Sequence, residues 1–211
     1  MQRILEARRP GAAVRVLTGQ GLLRALDEEL RCLRGAATSL DRLPGVVRRH
    51  GRHSPDEPLL VWTIALPLLL RASPGHVVAR ALDRLQPSRA ERAAVTGGLA
   101  ALSSLPRRLG RGRLLRPSTV DAACAGRATE ALLSVLVASS SPGVRGALLR
   151  YLRTLRHVRL EISGKDLLAS GLPPGPAVAR GLEAARKARL DGRATRLGDQ
   201  LRAALAAAAR S

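Results

Sequence analysis

Glu161-Ile-Ser-Gly-Lys-Asp-Leu-Leu-Ala-Ser-Gly-Leu-Pro-Pro-Gly-Pro-Ala-Val-Ala-Arg-Gly-Leu-Glu-Ala-Ala-Arg-Lys-Ala-Arg-Leu-Asp-Gly192 is a run of start and stop signals for two short helices joined by a stiff elbow. Ser163 is placed to cap a helix from about Gly164, with the negative charge of Asp166 in its first turn, an acidic variant of the capping box. Gly171 supplies the positive φ that ends this helix. Pro173-Pro174-Gly175 keeps the backbone extended and turned until Pro176 opens the next helix at its first position. That second helix runs to Leu190 and stops at Asp191-Gly192. Its cations Arg180, Arg186, Lys187 and Arg189 lie mostly in the later turns, where they complement the helix dipole. The corner reads in two ways: as backbone N–H groups at Gly164 and Pro176 together with cations, offered to an anionic partner, or as a capped corner that only closes a helical domain.

Around this corner lie 211 residues, enough for one ordinary domain or a compact domain plus a small tail. Apolar residues make up 45% of the chain, which supports a packed core over disorder. That core is built from Leu, Ala and Val, since Phe is absent and Trp, Tyr and Met occur once each. Leu and Ala favour helix. A net charge of +20 predicts attraction to polyanions and binding that weakens steeply with salt. Part of the arginine excess has the look of G+C-rich coding drift. Nucleic acid is the first expected partner class and an acidic membrane surface the second, with a solvated basic face as the bland alternative. With so few aromatics, backbone and shape recognition fits better than base stacking.

Cys32 and Cys124 are isolated, without a CxxC or histidines at ligand spacing, so neither a disulfide framework nor a zinc site is expected and a reducing cytoplasm is the natural compartment. The first residues lack the apolar segment of a signal peptide, and the apolar run Leu59 to Leu70 is too short for a membrane span and contains Pro67. It reads as a buried helix that Pro67 kinks or ends early.

The rest reads as helices divided by Gly and Pro. Leu22 to Leu33 carries apolar residues at helical spacing, and Leu40 to His50 is a weaker helix containing Pro44-Gly45. Pro74 to Leu85 sets Val77, Val78, Ala81, Leu82 and Leu85 on one side and Arg80 and Arg84 on the other. Ser88 to about Leu109 opens with a capping box formed with Glu91. Ser118 or Thr119 caps a helix through Val137, and Ser139 to Leu155 holds another. Val158 to Ile162 is the one candidate strand and reads as a connector. The expected class is all-α, a multi-helix superhelical bundle with a helix-elbow-helix tail. Residues 1–157 form the main helical region and 158–211 the tail.

Catalytic motifs are few. GxxxxGK[ST], GxSxG and HExxH are absent, and the four histidines have no acidic neighbour in sequence that would make a metal pair. No Asp-x-Asp pair is present to hold Mg²⁺ for nucleotidyl transfer. Asp27-Glu28-Glu29 is the nearest cluster and reads as solvated charge. A self-contained enzyme is therefore not expected.

Residues 162–192 resemble the C-terminal part of bacterial tRNA nucleotidyltransferases, the CCA-adding and poly(A) polymerase group. In that family a Gly-Lys-Asp-Leu turn, a Gly-hydrophobic-x-Pro-Gly-Pro elbow and a closing Leu-Asp-Gly recur in this order. Here they are Gly164 to Leu167, Gly171 to Pro176 and Leu190 to Gly192. Ala179 departs from the pattern where the family often has Gly, which bears on tight packing at that point. Ala13-Val-Arg-Val-Leu-Thr-Gly-Gln-Gly-Leu-Leu-Arg-Ala-Leu26 is similar to the family's helix ending in a Gly-Leu-Leu step, which extends the likeness into the neck and body.

The resemblance implies a tRNA-binding helical part that grips the RNA backbone during 3′-end processing. The Mg²⁺ and the CTP or ATP would belong to a catalytic head missing from this chain and encoded elsewhere or upstream. The expected phosphate contacts are Lys165, Arg180, Arg186, Lys187, Arg189 and Arg193 at the elbow, with Arg107, Arg108, Arg111 and Arg113 as a second basic cluster. The alternative is a helical protein-interaction module that no longer binds RNA. No membrane partner is expected.

Overall fold

A computed structural model of the chain describes residues 1–32, 35–50, 59–110 and 115–209, and all regular structure among them is helical. The helices are α1 Gln2–Leu5, α2 Pro10–Gly19, α3 Ala36–His50, α4 Val61–Leu70, α5 Gly75–Leu85 and α6 Arg89–Leu109, followed by α7 Pro117–Cys124, α8 Thr129–Ala138, α9 Pro142–Arg153, α10 Gly164–Ala169, α11 Pro176–Leu190 and α12 Leu197–Ala208. Short 3-10 turns occupy Leu22–Ala25 and Leu155–His157. Two compact units result, one from residues 1–112 and 126–148, the other from residues 113–125 and 149–211. This grouping differs from a division at 157/158 because α7 is tied to residues of the tail.

In the first unit α4 is buried from Trp62 through Leu70, and α8 from Ala131 through Val137. Helices apolar around their whole circumference must be surrounded, and α3 and α6 pack on both. Of the two expected effects of Pro67, a kink or an early end, the early end does not occur, since α4 runs on to Leu70. The proline ring sits over Gly98 of α6, where a Cβ would come within 2.7 Å of Pro67 Cγ, and the Ser134 hydroxyl donates to the Ile64 carbonyl at 2.9 Å in the turn that Pro67 disturbs. Each large aliphatic side chain buried along α4 contributes about 1.5–3 kcal/mol, which together outweigh the ~3 kcal/mol cost of an interior proline. α3 likewise continues through Pro44, held by buried Leu40, Leu43 and Val46.

Residues 22–32 are not one helix, and Leu33, the last residue of the expected run, lies outside the described residues. After Gly21, at φ 70°, the chain makes only a 3-10 turn and then a polar strap over residues 26–32. Arg80 of α5 grips the strap, donating from Nε at 2.6 Å and Nη2 at 3.0 Å to the two Asp27 oxygens and from Nη2 at 3.0 Å to Glu29. Arg84 donates to the carbonyls of Ala25 and Leu26 at 3.1 and 3.0 Å, and Ser73 Oγ accepts from the Arg31 N–H at 3.0 Å. Hydrogen bonding to Arg80 holds the Asp27 carboxyl down at about 2, against the opposing effect of burial. These bonds satisfy backbone groups that a helix would have paired internally.

Residues 118–137 also divide. Gly126, at φ 72°, breaks the run into α7, which belongs to the second unit, and α8, which belongs to the first. Pro117 stands at the first position of α7, and no side chain of its own caps that helix. The missing cap comes from Asp191, whose carboxylate accepts the Ser118 N–H and the Ser118 hydroxyl, each at 2.9 Å. Burial raises the Asp191 pKa, but the two Ser118 donors and nearby arginines outweigh it and the net direction is down. Its contribution is therefore complete above the ordinary carboxylate range and lost as pH falls through the lowered folded value. Asp191→Ala is expected to cost about 1 kcal/mol in urea unfolding near pH 7. The difference from wild type should shrink once the pH passes below the usual carboxylate value.

The second unit has a small core of Ile162, Leu167, Ala185 and Ala204, flanked by Leu172, Val178, Leu182 and Leu201. α12, for which the sequence pattern had suggested no separate element, packs along α11. Their closest approach is at Gly181, where a Cβ would lie 3.0 Å from the Ala204 carbonyl oxygen. Ala179 is exposed, so tight packing falls two residues after the position where the family pattern places its glycine.

Candidate nucleic-acid interface

The elbow forms as its local signals dictate. Asp166 accepts from the Ser163 N–H at 2.7 Å and from the Ser163 hydroxyl at 2.8 Å, and these bonds lower its pKa. The α10 N-terminus thus already has a carboxylate beside it. At the far end Gly171, at φ 88°, lets the Leu172 N–H reach back to the Leu167 carbonyl at 3.1 Å. Leu172 then turns into the core, closing the helix as a C-terminal glycine motif does. Gly175 adopts φ 147°, open only to glycine, and Pro176 starts α11. A Cβ on Gly164 would touch Val178 at 3.4 Å, so the two helices pack against each other at the corner.

The ten arginines and lysines expected to meet phosphate fall into distinct groups. Lys165 and Arg180 are exposed beside the elbow, and Lys165 makes no ion pair among the described residues. Lys187 pairs with Glu183 at 2.8 Å and Arg193 with Asp191 at 3.4 Å. Both cations are more than half exposed, and such surface pairs leave the charge available to a ligand. Arg186 is turned inward instead. It donates to Asp121 at 3.2 and 2.9 Å and to the Val158 carbonyl at 2.9 Å, which spends most of its guanidinium fork on the fold. Arg189 is likewise committed, to Glu161 at 2.6 Å and the Thr195 carbonyl at 2.9 Å. Arg107 and Arg108 are exposed in the last turn of α6, in the first unit, whereas the elbow is in the second. Arg111 and Arg113 lie outside the described residues. Exposed Arg150 and Arg153 in the last turn of α9 were not among the expected contacts, although their three-residue spacing at a helix C-terminus is a usable signal.

Among the described residues no three His, Cys, Asp or Glu side chains come together as a metal-holding group. The nearest carboxylate pair does not fit Mg²⁺. Asp27 is almost fully buried with both oxygens held by Arg80, and Glu29 shares the same guanidinium. His76, which has no acidic neighbour in sequence, does find one in space, Glu29 at 3.5 Å. No helix among the described residues is long and apolar enough to cross a membrane.

The described residues, whose regular structure is all helical, share the fold of the helical part of CCA-adding enzymes. The chain superposes on the Thermotoga maritima CCA-adding enzyme complexed with tRNA with a TM-score of 0.73 over 97% of this chain and 49% of that one, at 17% identity. A CCA-adding enzyme in complex with CTP gives a TM-score of 0.75 over 100% of this chain and 49% of that one, again at 17% identity. In sequence the chain is related to the A-adding tRNA nucleotidyltransferase of Geobacter sulfurreducens, 27% identical over 206 residues. The match takes in 96% of this chain and 23% of that enzyme, so the chain spans under a quarter of the length of that relative and about half of the two solved structures. No family model matches.

Proposed function

We propose that this chain is a tRNA-binding helical portion of a CCA-adding or A-adding nucleotidyltransferase, holding the RNA backbone while catalytic carboxylates supplied by another domain or chain extend the 3′ end. The observation that carries this reading is the sequence relationship to an A-adding enzyme along nearly the whole chain. The fold shared with a CCA-adding enzyme that carries tRNA supports it. The elbow adds a rigid corner on which Lys165, Arg180, Lys187 and Arg193 face solvent. Mg²⁺ and nucleotide chemistry belong, on this reading, to the catalytic domain, and the task of these helices is to position the RNA.

The test is binding to tRNA lacking its terminal CCA, against duplex DNA of equal charge, across a salt series. A preference for tRNA that survives near-physiological salt is expected. Equal binding to both, abolished by salt, would leave only a basic helical protein. With about six phosphate contacts, affinity should fall roughly 10³-fold between 50 and 200 mM salt. Lys165→Gln with Arg180→Gln should make the slope of log K against log salt shallower by about 1.5–2, whereas Arg186→Gln should leave the slope unchanged in protein that remains folded. An unaltered slope in the Lys165/Arg180 variant would remove the elbow from the interface.

A further inference from the structure

His76, Arg80 and Arg84 stand four residues apart on α5 and so form one column along the helix. The strap lies along this column. Its Asp27 and Glu29 carboxylates take up the Arg80 guanidinium in the forked geometry that a phosphate would use, Glu29 also meets His76 at 3.5 Å, and two strap carbonyls accept from Arg84. No apolar side chain of the strap is fully buried: Leu26, Leu30 and Cys32 are half-buried, Glu28, Glu29 and Arg31 face solvent, and the one buried side chain, Asp27, is the one that Arg80 holds. A segment held by exchangeable polar bonds is one that opens locally at modest cost. Arg80 and His76 are already about half exposed along their side chains, so a competing anion can reach them.

We infer that the strap over residues 26–32 is an internal stand-in for RNA phosphate, and that the His76-Arg80-Arg84 column of α5 is a second backbone-binding surface that the strap occupies until RNA displaces it. The inference rests on the RNA-binding reading above and extends it to the first unit, at a place where no basic run in the sequence points. Displacement exchanges one set of charge-assisted bonds for another, so it weakens binding relative to an open column and makes it responsive to how firmly the strap is seated.

The experiment uses the full chain, tRNA lacking CCA as the probe, and two readouts. The first is affinity and salt slope for Asp27→Asn/Glu29→Gln, compared with the equally charged control Glu6→Gln/Glu28→Gln. The strap variant is expected to bind about tenfold more tightly than the control, with a slope steeper by about 1.5–2. Adding Arg80→Gln should abolish that gain. The second is limited tryptic cleavage at Arg31 of the wild type, which should quicken when RNA is present. A gain no larger than the control's, or one that persists without Arg80, overturns the inference, as does strap cleavage indifferent to bound RNA. Failure of the wild-type chain to bind tRNA at all would take the proposed function down with it.

Discussion

Arg186→Ala is expected to destabilise the second unit by about 2–3 kcal/mol. The basis is the partner left behind: Asp121 is only 8% exposed along its side chain, and its two oxygens take the Nε and Nη2 donors of this one guanidinium. Breaking a buried ion pair by removing one member costs on the order of 3–5 kcal/mol, and the lower figure reflects the 31% exposure of Arg186, through which water partly rescues the carboxylate. Loss of the bond to the Val158 carbonyl adds to the effect. Urea unfolding of Arg186→Ala, Asp121→Ala and the double variant checks the prediction. The double variant should recover part of the loss, because no unpaired charge then remains. A single variant within 0.5 kcal/mol of wild type would show that water serves Asp121 as well as the arginine does.

This pair also marks where sequence reading stops. Ser163, Gly171 and Pro176 act within a few residues of themselves, through a cap, a positive φ and a fixed φ, and so the limits of α10 and α11 are legible from the chain alone. Arg186 was expected to project outward because it sits among cations on an amphipathic helix. Nothing local reveals that Asp121, 65 residues away, turns it inward. Residues 22–32 erred for the same kind of reason. Their leucine spacing suits a helix, but Gly21 interrupts it and Arg80, 53 residues on from Asp27, stabilises a different backbone. Pro67 is the converse case, a local stop signal overridden by burial along α4. Propensity is a prior that tertiary contacts overrule.

Gly11→Ala should be the most damaging single-methyl change in the first unit, at about 3 kcal/mol. In the first turn of α2, a Cβ at this position would stand 2.1 Å from the Ala37 carbonyl oxygen and 2.3 Å from Asp41 Oδ1. The carboxylate can swing away by giving up its 2.9 Å pair with Arg15, but the carbonyl belongs to the backbone of α3, so the two helices must separate. Overpacking of this kind costs typically 1–3 kcal/mol and occasionally more. Gly146→Ala in α9 is the matched comparison, since nothing lies within 4 Å of its added methyl. It should stabilise by about 0.5–1 kcal/mol through helix propensity. Thermal melts of the two variants should therefore move in opposite directions, and a Gly11→Ala midpoint equal to wild type would mean that α2 and α3 slide apart freely.

The capping of α7 by Asp191 has a consequence for the order of events at the ribosome. The two residues joined are 73 positions apart, so α7 leaves the exit tunnel long before its cap has been synthesised. At roughly 5–20 residues per second the wait is about 4–15 s, during which an eight-residue helix with open N–H groups has little stability of its own. α7 therefore gains its cap only when the Leu190-Asp191-Gly192 turn emerges, and the second unit is completed later still, when α12 brings Ala204 to its core. A nascent chain stalled before that turn would hold a protease-sensitive α7, and one released beyond it would not.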